Sequence, residues 1–172
     1  MRFLLSRFVK ILSLLRWTSV LAMAFFLVGC STSRVSSTTR ISETLPSNKI
    51  AVAPGSVLAD AVGVELFQYG YDVVPASMVD VVVGKKYWIS NSDFLTPQNM
   101  SKLRAKGIGS LLVIRSSSEY GGVPQAAVVR LIDTSNLETL AAVNWQGDST
   151  LSSELVKAAA QIASELRKGF PH

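Results

Sequence analysis

The side chains that carry out most protein chemistry are scarce in this chain of 172 residues. It has one cysteine, Cys30, and one histidine, His172. A single thiol cannot form a disulfide within the chain, and one cysteine with one histidine cannot build a multi-cysteine metal site. We therefore expect neither Ser-His nor Cys-His catalysis, no metal centre and no cofactor.

The carboxylates are also poorly placed for acid-base catalysis. Asp60 and Glu65 lie five residues apart on one predicted helix, so they point about 140° apart around its axis. Asp133 and Asp148 flank a predicted hairpin, where aspartate is typical of turns. The serine run at positions 116–118 has no neighbouring base to activate it. We expect that this chain is not an enzyme.

The positive charge is concentrated in the first 29 residues. The formal net charge is +5, but 13 of the 17 lysines and arginines and all 12 acidic residues lie from Cys30 onward. That part of the chain is therefore nearly neutral. Since a nucleic-acid-binding domain needs a basic face in its folded part, we expect no nucleic-acid partner.

The N-terminal segment, residues 1–29, has the pattern of a secretory signal peptide. Basic and apolar residues alternate up to Arg16, and residues 17–28 carry no charge. Twelve residues are too few for a transmembrane helix, which needs about 20. An ordinary signal peptide is one alternative, and an anchor extended back through residues 11–15 is another, although Arg16 interrupts it.

The four residues Leu27-Val28-Gly29-Cys30 resemble the lipobox of bacterial lipoproteins. The resemblance implies that the Cys30 thiol is acylated by chains such as palmitate, that the chain is cut before it, and that the new N-terminus is acylated as well. Several acyl chains make stable membrane anchoring plausible. Ser31 follows the cysteine, and a residue other than Asp there implies the outer membrane, with the domain facing the periplasm.

The mature chain is predicted to begin with a tether. Residues 31–47 are rich in Ser and Thr, contain no aromatic residue and have few apolar ones. Such a segment buries too little apolar surface to fold. We therefore assign residues 30–47 to the lipidated cysteine and a flexible tether, and residues 48–172 to one folded domain.

The folded part predicts an α/β (α+β) domain with the element order β-α-β-(α)-α-β-β-β-α. Residues 49–53 are an apolar run that ends at Pro54-Gly55, which is typical of a buried strand. A helix capped by Ser56 and a second strand follow, which predicts two parallel strands with a right-handed crossover. The last three strands have short connections and predict an antiparallel meander. Together these elements predict a mixed five-stranded sheet packed against helices.

Three long segments of the domain resemble the superfamily of bacterial envelope lipoproteins that includes CsgG and LpoB. They are IAVAPGSVLADAVGVELFQYGYDVVPASMV at 50–79, LRAKGIGSLLVIRSSSEYG at 103–121 and VVRLIDTSNLETLAAVNWQGD at 128–148. The matching positions are fold-making residues and carry no reaction signature. The resemblance implies a lipid-anchored accessory domain of the cell envelope, which acts on cell-wall synthesis or on an envelope complex. An alternative is a structural subunit of an oligomeric envelope assembly or secretion complex.

Three features are candidate partner-binding sites, for an envelope protein or for a second copy of the chain. The first is the basic and aromatic cluster formed by Lys85, Lys86, Tyr87 and Trp88, whose aromatic rings would either contact a partner or fold back onto the core. The second is Tyr120, at the edge of the loop 119–125, for which the alternative is a plain hairpin loop. The third is a phenylalanine on the first helix.

Phe67 lies away from the main apolar stripe of that helix, near Asp60 and Gly63. Its side chain is either an exposed contact or is covered by the second helix. We expect coverage by the second helix.

Overall fold

The computed structural model describes residues 34–40, 44–84, 94–120, 123–147 and 154–170. These ranges form one mixed sheet and four helices. In chain order the elements are β1 (Arg34–Arg40), β2 (Lys49–Val52), α1 (Val57–Gln68), β3 (Asp72–Val74), α2 (Ala76–Val83), α3 (Pro97–Arg104), β4 (Ser110–Tyr120), β5 (Val123–Asp133), β6 (Thr139–Gln146) and α4 (Glu154–Gly169). Within the described ranges, no helix combines the length and apolar character needed to span a bilayer.

The predicted β-α-β unit is confirmed. The side chain of Ser56 accepts a hydrogen bond from the backbone nitrogen of Ala59 at 3.3 Å, which caps the N-terminus of α1. Gly70 follows α1 with a φ of 93°, a conformation that glycine adopts without steric cost. Strand β3 then runs parallel to β2, as the crossover predicts.

The predicted meander is confirmed as well. Strand β4 pairs antiparallel with β5, and β5 pairs antiparallel with β6. Asp133 acts as a turn residue: its Oδ1 accepts a hydrogen bond from the backbone nitrogen of Ser135 at 2.6 Å. Because β4 also pairs in parallel with β2, the meander and the β-α-β unit form one sheet, in the order β1-β6-β5-β4-β2-β3.

The sheet has six strands, so the expectation of five is wrong. The additional strand is β1, which lies in the segment assigned above to a flexible tether. It pairs antiparallel with β6, from Arg34 opposite Gln146 to Arg40 opposite Ala141. The segment has little apolar surface of its own, but the free edge of β6 supplies hydrogen-bond partners for its backbone. The side chain of Val35 also packs against the main core, which helps to hold β1 on the sheet.

The helices lie on both faces of the sheet. Helices α1 and α4 pack on one face through Leu66, Ile162 and their neighbours, against strand residues that include Val52 and Val129. Helices α2 and α3 pack on the opposite face through Val79 and Leu103. The strand residues in this second core alternate along the strands with those of the first core, because successive side chains point to opposite faces. This second layer covers β2 and the first part of β4, and it ends before the outer strands.

Candidate functional site

A cleft of about 430 Å³ lies between α1 and the start of α2. It opens beside the carboxyl ends of the parallel strands β2 and β3, which is where open α/β sheets commonly bind ligands. Its lining is mostly apolar. The lining residues are Val52, Asp60, Gly63, Val64, Phe67, Val73, Pro75, Ala76 and Ser77.

Gly63 brings α1 close to the strands below the cleft. A Cβ atom at this position would lie 2.8 Å from Cγ2 of Val52 and 3.3 Å from Cγ1 of Val73. Both neighbours are stiff β-branched side chains. The missing side chain therefore fixes the distance between helix and sheet and, with it, the depth of the cleft.

Asp60 supplies the only titratable side chain of the described lining. It lies in the first turn of α1, and burial raises the pKa of its carboxyl group because the charged form loses hydration. A single carboxylate in an apolar cleft is a weak basis for catalysis. It can instead bind a cationic group of a ligand. No group of three or more His, Cys, Asp or Glu side chains in the described ranges could hold a metal ion.

Large apolar side chains stay exposed on the two helices that form the cleft. Three are on α1, where their spacing of seven and three residues places them on one outer face, and two are on α2. We call this set the α1–α2 patch: Val57, Val64, Phe67, Met78 and Val81. Val64 and Phe67 line the cleft itself. Since exposed apolar surface often marks a site of interaction, the cleft and these two side chains form the candidate binding site.

Phe67 is exposed over 67% of its surface, so the expectation that the second helix covers it is wrong. Helix α2 packs on the opposite face of the sheet through Val79 and Val83. Only its first residues, Ala76 and Ser77, reach the cleft wall. Phe67 therefore stands at the rim of the cleft with no helix above it in the described part of the chain.

Five of the predicted site residues lie outside the part of the chain that the structure describes. They are Lys85, Lys86, Tyr87, Trp88 and Cys30. These assignments stay predictions.

Tyr120 is the last residue of β4 and pairs with Val123 of β5, although its side chain is not among those described. The strands extend into the predicted loop 119–125, because β4 ends at Tyr120 and β5 begins at Val123. Whether Tyr120 contacts a partner stays a prediction.

Four members of the patch were not predicted from the sequence. Val57 and Val64 are seven residues apart and Phe67 follows three later, so a second apolar stripe on α1 was visible in the sequence. Met78 and Val81 could not be found in this way. Their exposure depends on which face of α2 packs on the sheet. A helix of only eight residues has too few apolar positions for the sequence to indicate that face.

The fold and this site define a small α+β domain whose described surface offers an apolar cleft. No protein-family model matches the chain, and no curated protein matches it. The resemblance to the CsgG/LpoB-like superfamily therefore stays a prediction.

Several solved structures are similar to the chain. The PelC dodecamer from Paraburkholderia phytofirmans is 17% identical, with 78% of this chain and 97% of that chain covered and a TM-score of 0.48. A variant of the same PelC is 18% identical, with 79% and 97% covered and a TM-score of 0.46. Lipoprotein GNA1162 from Neisseria meningitidis is 20% identical, with 70% and 96% covered and a TM-score of 0.48. At these identities and TM-scores, the similarities assign neither a family nor a function to the chain.

Proposed function

We propose that this chain is a lipid-anchored, non-catalytic binding domain of the bacterial cell envelope. The observation that carries the proposal is the apolar cleft with Val64 and Phe67 of the α1–α2 patch exposed on its wall, whereas most large apolar side chains of the described residues lie in two cores. Leaving such side chains in water costs free energy that a binding partner recovers. The domain would therefore act by holding a partner at the membrane.

The anchor in this proposal is the acylated Cys30, placed in the outer membrane with the domain facing the periplasm. The linker is short because β1 begins at Arg34, four positions after Cys30. Fully extended, this piece of chain spans about 14 Å. An anchor so close to the fold keeps the domain near the membrane and raises its effective concentration for a partner in the same envelope.

The proposed occupant of the cleft is a segment of an envelope protein that carries an apolar side chain beside a basic one. The apolar side chain fits the lining formed by Val64, Phe67 and Val73. The basic side chain would lie next to Asp60, whose charged form is disfavoured by burial and gains from a nearby cation. A partner with both features would use the whole site.

The test is the native mass of the acylated full chain, gently extracted and kept at low concentration. We expect a complex that contains this chain and a second protein. Val64→Glu should dissociate it, because a carboxylate at the rim of the cleft is desolvated on binding. Val156→Glu, at an exposed apolar position on α4 outside the patch, should leave it intact.

Three results would overturn the proposal. One is a wild-type chain that runs as a free single copy. Another is a closed assembly of this chain alone, which would favour the structural-subunit alternative. The third is an equal response of the complex to Val64→Glu and Val156→Glu.

A further inference from the structure

A second surface lies on the face of the sheet opposite α1 and α4, beyond the reach of α2 and α3. Those two helices bury Val113 and Ile132, and the rows of side chains that follow on β4, β5 and β6 are exposed. We call this surface the arginine face. Its members are Arg115, Ser117, Val128, Arg130, Asn144 and Gln146.

The strand register places the two arginines of this face close together. Arg115 on β4 lies opposite Val128 on β5, and Arg130 lies opposite Val113. The arginines are thus diagonal neighbours on one face, at a separation of about 7–8 Å between their backbones. Val128 lies between them and is 41% exposed. Next to it, on β6, lies Asn144.

Two adjoining depressions give this surface its shape. One, of about 170 Å³, lies between Leu95 and the pair Arg115 and Arg130. The other, of about 220 Å³, runs from Arg115 toward Asn144 and Gln146. Both are lined by Arg115 and Val128, so together they form a shallow groove that crosses β4, β5 and β6.

The charged side chains described on the arginine face are all positive. Neither Arg115 nor Arg130 forms an ion pair within the described residues, and none of the described side chains of the arginine face is acidic. Arg34, on β1 opposite Gln146, adds a third exposed positive charge at the far side. Like charges in this arrangement repel one another, and an anion between them removes the repulsion.

We propose that the arginine face binds an acidic segment of a partner protein, with carboxylate groups of the segment on Arg115 and Arg130. A guanidinium group donates two parallel hydrogen bonds to a carboxylate, and the amides of Asn144 and Gln146 can bond the backbone of the segment. This surface is on the other side of the sheet from the cleft, and the inference does not depend on the proposed function.

The composition of the face favours a protein over other anionic partners. Arginine and exposed apolar area are typical of protein interfaces, whereas lysine is depleted there. A membrane surface is usually bound by four to eight clustered basic residues. A nucleic-acid site has a larger basic surface as well. The arginine face has three arginines and an exposed valine, which fits a short acidic protein segment better than a membrane or a nucleic acid.

The experiment measures binding of a fluorescent deca-glutamate peptide to the acylated full chain in neutral detergent at low salt. We expect binding that weakens as salt is added. Arg115→Gln and Arg130→Gln should each weaken it by about ten-fold or more, since each removes charge-assisted hydrogen bonds. The matched control is Arg104→Gln, at an exposed position at the end of α3, which should bind as the wild type does.

Several results would overturn the inference. One is a peptide that does not bind, and another is an Arg104→Gln variant that weakens binding as much as the two face variants do. A third is tighter binding of polygalacturonate or glycerol phosphate than of the peptide, in the same assay and with the same dependence on Arg115 and Arg130. The face would then be a polysaccharide or a phosphate site and not a protein site.

Discussion

The hydroxyl group of Tyr71 donates a hydrogen bond to the backbone carbonyl oxygen of Phe170 at 2.7 Å, although the two residues are 99 positions apart in the chain. Tyr71 directly precedes β3, and Phe170 directly follows α4. Both side chains are buried in the core that α1 and α4 share. The bond therefore joins the β-α-β unit to the C-terminal helix.

Tyr71→Phe should lower the free energy of unfolding by about 1–2 kcal/mol, because it leaves a buried carbonyl oxygen without this donor. The measurement is urea unfolding of the full chain in detergent, followed by tryptophan fluorescence. Tyr69→Phe is the control: Tyr69 is half-buried, and its ring under the guanidinium of Arg167 is kept in the variant. Equal stability of Tyr71→Phe and wild type would contradict the role of this bond.

The same tyrosine predicts a loss of stability at high pH. Burial raises the pKa of Tyr71 above its ordinary value of 10.0, with a smaller opposing effect of Arg167. The unfolded chain then releases the proton at a lower pH than the folded chain does, so the stabilising contribution is complete below pH 10 and is lost as the pH rises through the folded pKa. The stability difference between wild type and Tyr71→Phe should therefore shrink above pH 10 in a series of urea titrations. A difference that stays constant or grows would contradict the direction of this pKa shift.

Gly63→Ala should destabilise the domain by about 1–3 kcal/mol, because its Cβ atom would overlap a methyl group of Val52. The variant should also move α1 outward and change the cleft. Gly169→Ala is the matched control, since a Cβ atom there meets no atom within 4 Å. Chemical unfolding of both variants tests the point, and equal stabilities would show that α1 is not held against the strands at Gly63.

Cys30→Ala should abolish labelling of the chain by a radioactive or clickable fatty acid. The thiol is the group that the lipobox resemblance marks for acylation, and no other cysteine can replace it. The precursor should accumulate uncleaved or leave the membrane fraction. Labelling that persists in the variant would mean that the chain is anchored by another group.

Much of the fold could be predicted from the sequence, because local patterns determine it. The apolar run before Pro54 and the cap at Ser56 predicted the β-α-β unit, and the turn residues at 134–136 predicted the last hairpin. Strand β1 could not be found in this way. Its residues are polar, and its pairing depends on an edge of β6 that lies about a hundred residues away in the chain.

The candidate site was predicted less well, for a related reason. The position of Phe67 on the outer side of α1 was correct, but its exposure depends on where α2 packs, which is a tertiary property. The arginine face is a similar case. Alternation along β5 places Val128 and Arg130 on one side of the strand, but only the helix layer on that side decides whether they are covered.

The central claim is that the α1–α2 patch binds a different envelope protein. The most direct measurement replaces Phe67 by a photo-reactive amino acid in living cells and compares it with the same replacement at Val156. We predict a cross-link from position 67 to one other protein, lost when Val64→Glu is added, and no such cross-link from position 156. Absence of a cross-link at 67, the same cross-links from both positions, or cross-links only between copies of this chain would contradict the claim.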